Sequence, residues 1–308
     1  MNAPAALRQA KDYATDQEVR WCPGCGDYAI LKAVLKTLAD LQADPVRTVF
    51  VSGIGCAARF PYYVETYGFH TIHGRAPAFA TGIKLANPEL DVWVVGGDGD
   101  LLSIGGNHLI HALRRNLDLQ ILLFNNEIYG LTKGQASPTS RPGTRSPSTP
   151  QGSLDAPMSA LRLALGAGAR FVARGIDTQQ KLLPEILKRA RAHHGSALVE
   201  ILQNCIVYND GVFEEITAKA NEAETQLHLV HGEPLLFGVG RSKGLRLAPD
   251  GLRLQIAPAD DPAVLRHDET DPNLATLLAA LEAAEMDRGR ATSLNALLRQ
   301  GATWSAPS

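Results

Sequence analysis

Four short apolar runs stand out along the chain, at residues 47–52 (RTVFVS), 91–96 (DVWVVG), 119–125 (LQILLFN) and 197–202 (ALVEIL), each bounded by Gly, Pro or Asn. Runs this short, apolar at successive rather than alternate positions, fit strands buried on both faces, as in a parallel sheet. A different period governs residues 27–41, where Ile30, Leu31, Val34, Leu35, Leu38 and Leu41 recur at helical spacing directly after a Cys-Pro-Gly-Cys-Gly turn. Stretches 76–86, 103–115, 159–166 and 178–193 fall between the strands as crossover helices. Alternating β and α elements predict an α/β fold built on a doubly wound, mostly parallel sheet.

Residues 136–157 (ASPTSRPGTRSPSTPQGSLDAP) have no period and carry many Ser, Thr, Pro and Gly. They predict a long irregular loop, to be read either as a mobile surface excursion or as a functional lid. Beyond Asn209 the pattern is less regular, with a hairpin expected around 238–251 and an Ala/Leu-rich helix near 274–285. The predicted organisation is an N-terminal arm (1–20), an α/β domain (21–208) and a C-terminal accessory or interface region (209–308).

Composition narrows the partners. The 308 residues are 45% hydrophobic and 20% charged, which is ordinary globular usage and not that of a disordered chain. A formal net charge of -2 offers no basic surplus to neutralise phosphates, so nucleic acid is not an expected partner. No apolar run approaches the roughly 18 residues that cross a bilayer, and no membrane association is expected. The first twenty residues lack the apolar core of a secretory signal, which points to the cytoplasm. In that compartment the four cysteines read as ligands or core residues rather than as disulfides.

The most informative chemistry lies in residues 96–135. Asp98 sits in a Gly-Asp-Gly turn after one predicted strand, and Asn126, 28 positions later, ends the next, a spacing that fits one strand-helix-strand unit. Both then stand at carboxyl ends of parallel strands, where α/β sheets bind ligands. A carboxylate and an amide carbonyl are hard oxygen donors suited to Mg²⁺, which completes its shell with phosphate oxygens and water. Gly97 and Gly99 would let the backbone approach those phosphates. Taken singly, Asp98 could instead cap a helix and Asn126 close a turn.

The cysteines suggest a second centre on the same edge. Cys22 and Cys25 form a CxxC chelate, Cys56 follows the 47–52 strand through a Gly-Ile-Gly turn, and Cys205 lies just past the 197–202 strand. Four converging thiolates suit either zinc or a [4Fe-4S] cluster, and spacing does not distinguish them. The helix starting near Asp27 is expected to stabilise thiolates at Cys22 and Cys25 through its dipole. Each cysteine, Cys205 above all, also has a plain reading as a buried core residue.

These motifs carry a resemblance. Gly97-Asp98-Gly99 followed by Asn125-Asn126 resembles the signature of thiamine diphosphate enzymes. WCPGCG (21–26), GIGCAARFPYY (53–63), HGRA (73–76), ATGIKLANP (80–88), GGDGDLLSIGGNH (96–108) and NNEIYGLTKGQASPTS (125–140) together resemble the β subunit of 2-oxoacid:ferredoxin oxidoreductases. The similarity resumes at 200–210 and at HGEPLLFG (231–238). It implies that Asp98, Asn126 and the carbonyl of Ile128 hold Mg²⁺. It implies also that Ile54, Gly55, Cys56, Gly74, Gly97, Gly99, Asp100, Tyr129, Gly130, Leu131 and Thr132 bind thiamine diphosphate, and that Cys22, Cys25, Cys56 and Cys205 bind a [4Fe-4S] cluster. Electrons taken singly from the substrate need a redox centre, which zinc is not.

By the same resemblance Arg59 faces a substrate carboxylate and His73 lines the cofactor; an ordinary surface charge and a structural histidine are the plainer readings. Thr132 and Lys133 could meet the diphosphate, or be a loop cap and a solvated charge. No segment resembles the pyrimidine-binding domain whose glutamate activates thiamine, so an α partner subunit is expected to supply it. The implied reaction is decarboxylation of a 2-oxoacid to acyl-coenzyme A with electrons passed to ferredoxin. Arg59 and the YGLTKGQ segment favour 2-oxoglutarate, with pyruvate or a broad range as the alternative. Two further readings remain. A nicotinamide site at Gly53–Ala58 lacks an acidic ribose ligand and is interrupted by Pro61, and a zinc-stabilised assembly subunit would carry the thiamine motifs without catalysis.

Overall fold

A computed structural model of the chain describes residues 7–281 and the backbone of 292–294 and 296–300. Helix α1 (Asp27–Asp40) precedes strand β1 (Thr48–Ser52), strand β2 (Tyr67–His70), helix α2 (Ala76–Ala86) and strand β3 (Asp91–Gly97). Helices α3 (Asp98–Leu102) and α4 (Gly106–Arg115) lead to β4 (Leu119–Asn125). A small hairpin, β5 (Ile128–Tyr129) and β6 (Gln135–Ala136), opens the long loop, followed by α5 (Ala160–Gly166), β7 (Phe171–Ile176), α6 (Leu182–Ala192) and β8 (Ser196–Leu202). The remainder carries α7 (Glu214–Thr217), α8 (Glu222–Thr225), β9 (Gln226–His228), β10 (Leu236–Phe237), β11 (Lys243–Leu247), β12 (Leu254–Pro258), α9 (Pro272–Ala279), β13 (Thr292–Leu294) and β14 (Ala296–Gln300).

The main sheet runs β14-β7-β8-β4-β3-β1-β2 and is parallel except where β14 pairs with β7. Successive residues of a strand point to opposite faces, and both faces are buried here. Val49, Val51, Val92, Val94, Ile121 and Leu123 share one core with α2, α4, α5 and α9. Phe50, Trp93, Val95, Leu122 and Phe124 share the other with α1 and α6. This confirms the doubly wound α/β architecture, and it explains why the strands read as unbroken apolar runs. The C-terminal segment is continuous with the first core, to which it contributes Leu227, Phe237, Leu245, Leu254, Leu274 and Leu278. No helix among the described residues is long and apolar enough to cross a membrane.

Several elements depart from the expected pattern. β2 is an exposed edge strand and β7 contains Arg174, so neither presents an apolar run; Arg174 is buried and pairs with Glu200 at 2.6 Å. The helix expected at 103–115 begins at Gly106, and a separate short helix holds Asp98 and Asp100. Between the two, Gly105 packs so tightly on Gly74 that a Cβ on Gly74 would lie 2.3 Å from the Gly105 nitrogen. The hairpin expected around 238–251 is part of a three-stranded antiparallel sheet of 236–237, 243–247 and 254–258, whose second turn, 248–253, runs two residues past the expected end. The last helix stops at Ala279, and the expected residues 282–285 lie outside those described. Within the long loop, Ser137, Thr139, Ser140, Ser146 and Ser153 are buried, whereas Ser148 is exposed.

Phe60 is fully buried, with ring centroids 5.6 Å from Phe50, 5.9 Å from Phe124 and 6.4 Å from Trp21. Phe60→Ala should lower the unfolding free energy by about 3–5 kcal/mol in denaturant titrations. Phe79→Ala, on a residue 49% exposed, should change it by less than about 1 kcal/mol.

Candidate functional site

Two adjoining cavities lie where the carboxyl ends of β1, β3, β4 and β8 open. The first, of about 230 Å³, is walled by Ile54, Gly55, Cys56, Gly97, Asp98, Gly99, Asp100, Asn126, Ile128, Tyr129, Gly130, Leu131 and Thr132, joined by Asp27, Ala57 and Phe124. The second, of about 190 Å³, is lined by Cys22, Cys25, Cys56 and Cys205 together with Arg20, Trp21, Arg59, Lys133 and the apolar 206–208 segment. Cys56, Gly130 and Leu131 line both, so the cavities share a wall.

In the first cavity the oxygens come from two strand ends. Asp98 follows β3 directly and is 1% exposed. Its Oδ2 accepts hydroxyl hydrogen bonds from Ser137 at 2.6 Å and Thr139 at 2.5 Å. Burial pushes its pKa up to about 6, against the pull of those hydroxyls. Asn126 follows β4; its Oδ1 accepts the Ile128 N–H at 3.2 Å, and its Nδ2 donates to Gln203 Oε1 at 2.7 Å. That pairing fixes which end of the amide is the oxygen. Glu127, between them, has a positive φ of 55° and pairs with Arg141 at 3.0 Å; burial pushes it up to about 7 although Arg141 opposes the shift. A carboxylate, an amide carbonyl and a main-chain carbonyl on one wall form a donor set that fits Mg²⁺.

Other expected residues take different posts. Asp100 Oδ1 accepts the Gly74 N–H at 2.7 Å and its carboxylate also takes the Ile54 N–H, so Asp100 braces the turns after β1 and β2. Gly74 is not among the residues that wall the cavity, and this hydrogen bond ties it to Asp100, which is. His73 is half-buried beside Tyr129, with Nε2 3.2 Å from the Gly99 carbonyl, which also accepts the Tyr129 hydroxyl at 2.7 Å. Arg59 lines the cysteine cavity and not the first one, and its Nη1 donates to the Arg20 carbonyl at 3.2 Å.

The cysteines are held by backbone geometry. Cys25 N–H donates to the Cys22 carbonyl at 3.0 Å, closing the CxxC turn, and Gly26 N–H donates to Asn204 at 3.1 Å beside Cys205. Trp21 Nε1 donates to the Cys56 carbonyl at 2.7 Å. A Cβ on Gly130 would stand 3.3 Å from Cys205 Sγ and 4.0 Å from Cys56 Sγ. Among the described residues no three His, Cys, Asp or Glu side chains close on a common metal centre; the thiols line one space whose soft sulfur donors fit zinc or an iron-sulfur cluster. Burial and then the Asp27 carboxylate push the Cys25 pKa well up, and burial first pushes Cys56 up to about 12. The expected thiolate stabilisation by the α1 dipole is therefore outweighed at Cys25 by desolvation, and a bound metal would have to displace the proton.

Sequence reasoning missed Asp27, Gln203, Ser137 and Thr139. Asp27 follows the CxxC turn by two residues and Gln203 precedes Cys205 by two, so proximity to a motif was the available signal. The loop hydroxyls carried none, being ordinary residues in a polar tract.

Comparison with known proteins bears on the same residues. The family described as thiamine pyrophosphate enzyme, C-terminal TPP binding domain, matches residues 53–201. The chain is 52% identical over 285 residues to the 2-oxoglutarate oxidoreductase subunit KorB of Mycobacterium tuberculosis, covering 91% of this chain and 76% of that protein. It is 52% identical over 205 residues to the 2-oxoacid:ferredoxin oxidoreductase 1 subunit beta of Aeropyrum pernix, covering 67% and 64% respectively. Its structure is similar, at a TM-score of 0.78 and 34% identity, to a 2-oxoglutarate:ferredoxin oxidoreductase from Magnetococcus marinus with 2-oxoglutarate, coenzyme A and succinyl-CoA bound; the match covers 97% of this chain and 87% of that one.

Gly99 lies against Tyr129, and a Cβ there would fall 2.4 Å from the ring. Gly99→Ala should push Tyr129 out of the cavity wall and weaken thiamine diphosphate binding by about tenfold or more, the ~1.4 kcal/mol scale of one disturbed contact. Calorimetric titration with Mg²⁺ and the cofactor measures it.

Proposed function

Because the chain belongs to the β subunits of the 2-oxoacid:ferredoxin oxidoreductases and carries their thiamine diphosphate-binding domain, we propose that it houses the reaction centre of a coenzyme A-acylating 2-oxoacid oxidoreductase. The observation that carries the reading is the shared wall: hard oxygens on one side and four thiols on the other, with Cys56 and Gly130 common to both. Asp98, Asn126 and the Ile128 carbonyl would hold Mg²⁺ and through it the diphosphate. Cys22, Cys25, Cys56 and Cys205 would hold a [4Fe-4S] cluster.

When bound, thiamine diphosphate supplies the carbon nucleophile that lets a 2-oxoacid lose CO₂, and the cluster takes up the released electrons one at a time. The residues of this chain prepare that chemistry. Ser137 and Thr139 orient the Asp98 carboxylate, Asp100 fixes the Ile54 and Gly74 turns, and Tyr129 with His73 holds the Gly99 carbonyl. An α subunit would bring the glutamate that activates the pyrimidine ring, completing the site at an interface. One 2-oxoacid, one coenzyme A and two oxidised ferredoxins would give acyl-coenzyme A, CO₂, two reduced ferredoxins and a proton.

The substrate we favour is 2-oxoglutarate, on the names of the Mycobacterium tuberculosis and Magnetococcus marinus relatives. Arg59, set on the cysteine side, lends that choice no support.

The complex purified anaerobically with its α partner should contain iron and sulfide and reduce a dye only when coenzyme A and 2-oxoacid are both present, fastest with 2-oxoglutarate. A colourless zinc protein without turnover would instead favour an assembly subunit. Asp98→Ala should weaken thiamine diphosphate binding by about 100-fold, the ~3 kcal/mol scale of a lost charged contact; unchanged affinity removes the metal assignment. Cys56→Ser should lose cluster iron, and retention of about four iron atoms per chain contradicts that ligand set.

A further inference from the structure

One buried side chain touches a proposed ligand of each centre. Gln203, 1% exposed, follows β8 and is pinned by its own N–H to the Asn125 carbonyl at 2.8 Å. Its Oε1 accepts from Asn126 Nδ2 at 2.7 Å, and its Nε2 donates to Cys25 Sγ at 3.2 Å and to the Asn204 carbonyl at 2.8 Å. All the hydrogen-bonding capacity of its NH₂ group is thereby engaged, one proton toward sulfur and one toward the carbonyl. The orientation is self-consistent, because reversing the amide would put nitrogen against the Asn126 NH₂ and oxygen against the Asn204 carbonyl.

We propose that Gln203 is a positioning residue that couples the two centres, presenting the Asn126 carbonyl to the metal at one end and hydrogen-bonding a cluster sulfur at the other. The inference rests on the function proposed above and adds a residue and a coupling to it. At the oxygen end, holding Asn126 Nδ2 leaves Oδ1 as the only donor atom of that amide that can face a cation. At the sulfur end, an N–H directed at a ligating sulfur stabilises the more negative, reduced cluster and raises its potential. A displacement of Asn126 on binding Mg²⁺ and cofactor passes through a single amide to Cys25, so loading one site shifts the other, and the effect is reciprocal. Asn209 provides a parallel strap, with Nδ2 donating to the Asn126 carbonyl at 2.8 Å and its N–H to the Cys205 carbonyl at 3.0 Å.

The test uses the complex with its α partner, prepared anaerobically, and reads the cluster potential by redox titration followed by electron paramagnetic resonance, with and without Mg²⁺ and thiamine diphosphate. In the unaltered complex the potential should shift on adding the cofactor. Gln203→Leu should lower the potential of the cofactor-free cluster, abolish the shift and weaken cofactor binding about tenfold, with iron content retained. Gln203→Glu, which keeps an acceptor for Asn126 but removes the donor to Cys25, should lower the potential while leaving cofactor affinity within about threefold. That split is not produced by general loosening, and the second variant keeps the test open should the first not fold. If the unaltered complex binds cluster and cofactor but either variant leaves the potential and its shift unmoved, the coupling role is overturned while the function stands. If the unaltered complex binds no cluster at all, both fall.

Discussion

A buried ion pair anchors the edge on which the chemistry stands. Glu200 in β8 accepts from Arg174 in β7 at 2.6 Å through one oxygen and from Asn125 in β4 at 2.8 Å through the other. Taking these charges out of water costs several kcal/mol, recovered only when both are fully engaged. The polar chain does not end there: Thr139 Oγ1 lies 3.0 Å from Asn125 Oδ1 and bonds to Asp98. Strand ends β7, β8, β4 and β3 are thus locked in mutual register by side chains, and the residues just beyond them, Asn126, Gln203 and Cys205, inherit their positions from that lock.

Around the first cavity the carboxylates are concentrated and starved of water. Asp27, Asp98, Asp100 and Glu127 are each buried, and desolvation raises the pKa of every one. Among the described residues Glu127 alone of the four forms an ion pair, with Arg141, which also reaches Glu215 at 2.7 Å. The wall is therefore built for positive charge brought from outside the chain. A divalent ion would supply it, and burial, with the Asp27 carboxylate behind it, discourages ionisation of Cys25 and Cys56, whose protons a bound metal would have to replace.

How much of this was legible in the sequence follows from what each residue needs for its position. Asp98 and Asn126 could be placed because a single crossover fixes their spacing and both end apolar strands. The cysteines could be placed because three of them border predicted elements. β7 could not, since its Arg174 reads as surface until Glu200 is known to lie opposite. Gln203 and the buried hydroxyls of the long loop were equally silent, for their roles arise from tertiary contacts between segments 39 to 178 residues apart. The surroundings of Arg59 were silent for the same reason: three positions beyond Cys56 in sequence become a tight turn that sets it in the lining of the cysteine cavity, with its guanidinium bonded to the Arg20 carbonyl.

The edge strand β2 leaves a mark on how such a chain behaves outside its assembly. Among the described residues it pairs as a strand with β1 alone, while Tyr67 and Phe69 are 60% and 46% exposed and no lysine or proline interrupts it. A bare, aromatic strand margin is a template for pairing with any other extended chain. Only its length of four residues limits that pairing, so a companion subunit lying along this border would remove an open template that the polypeptide made alone would present to its own copies.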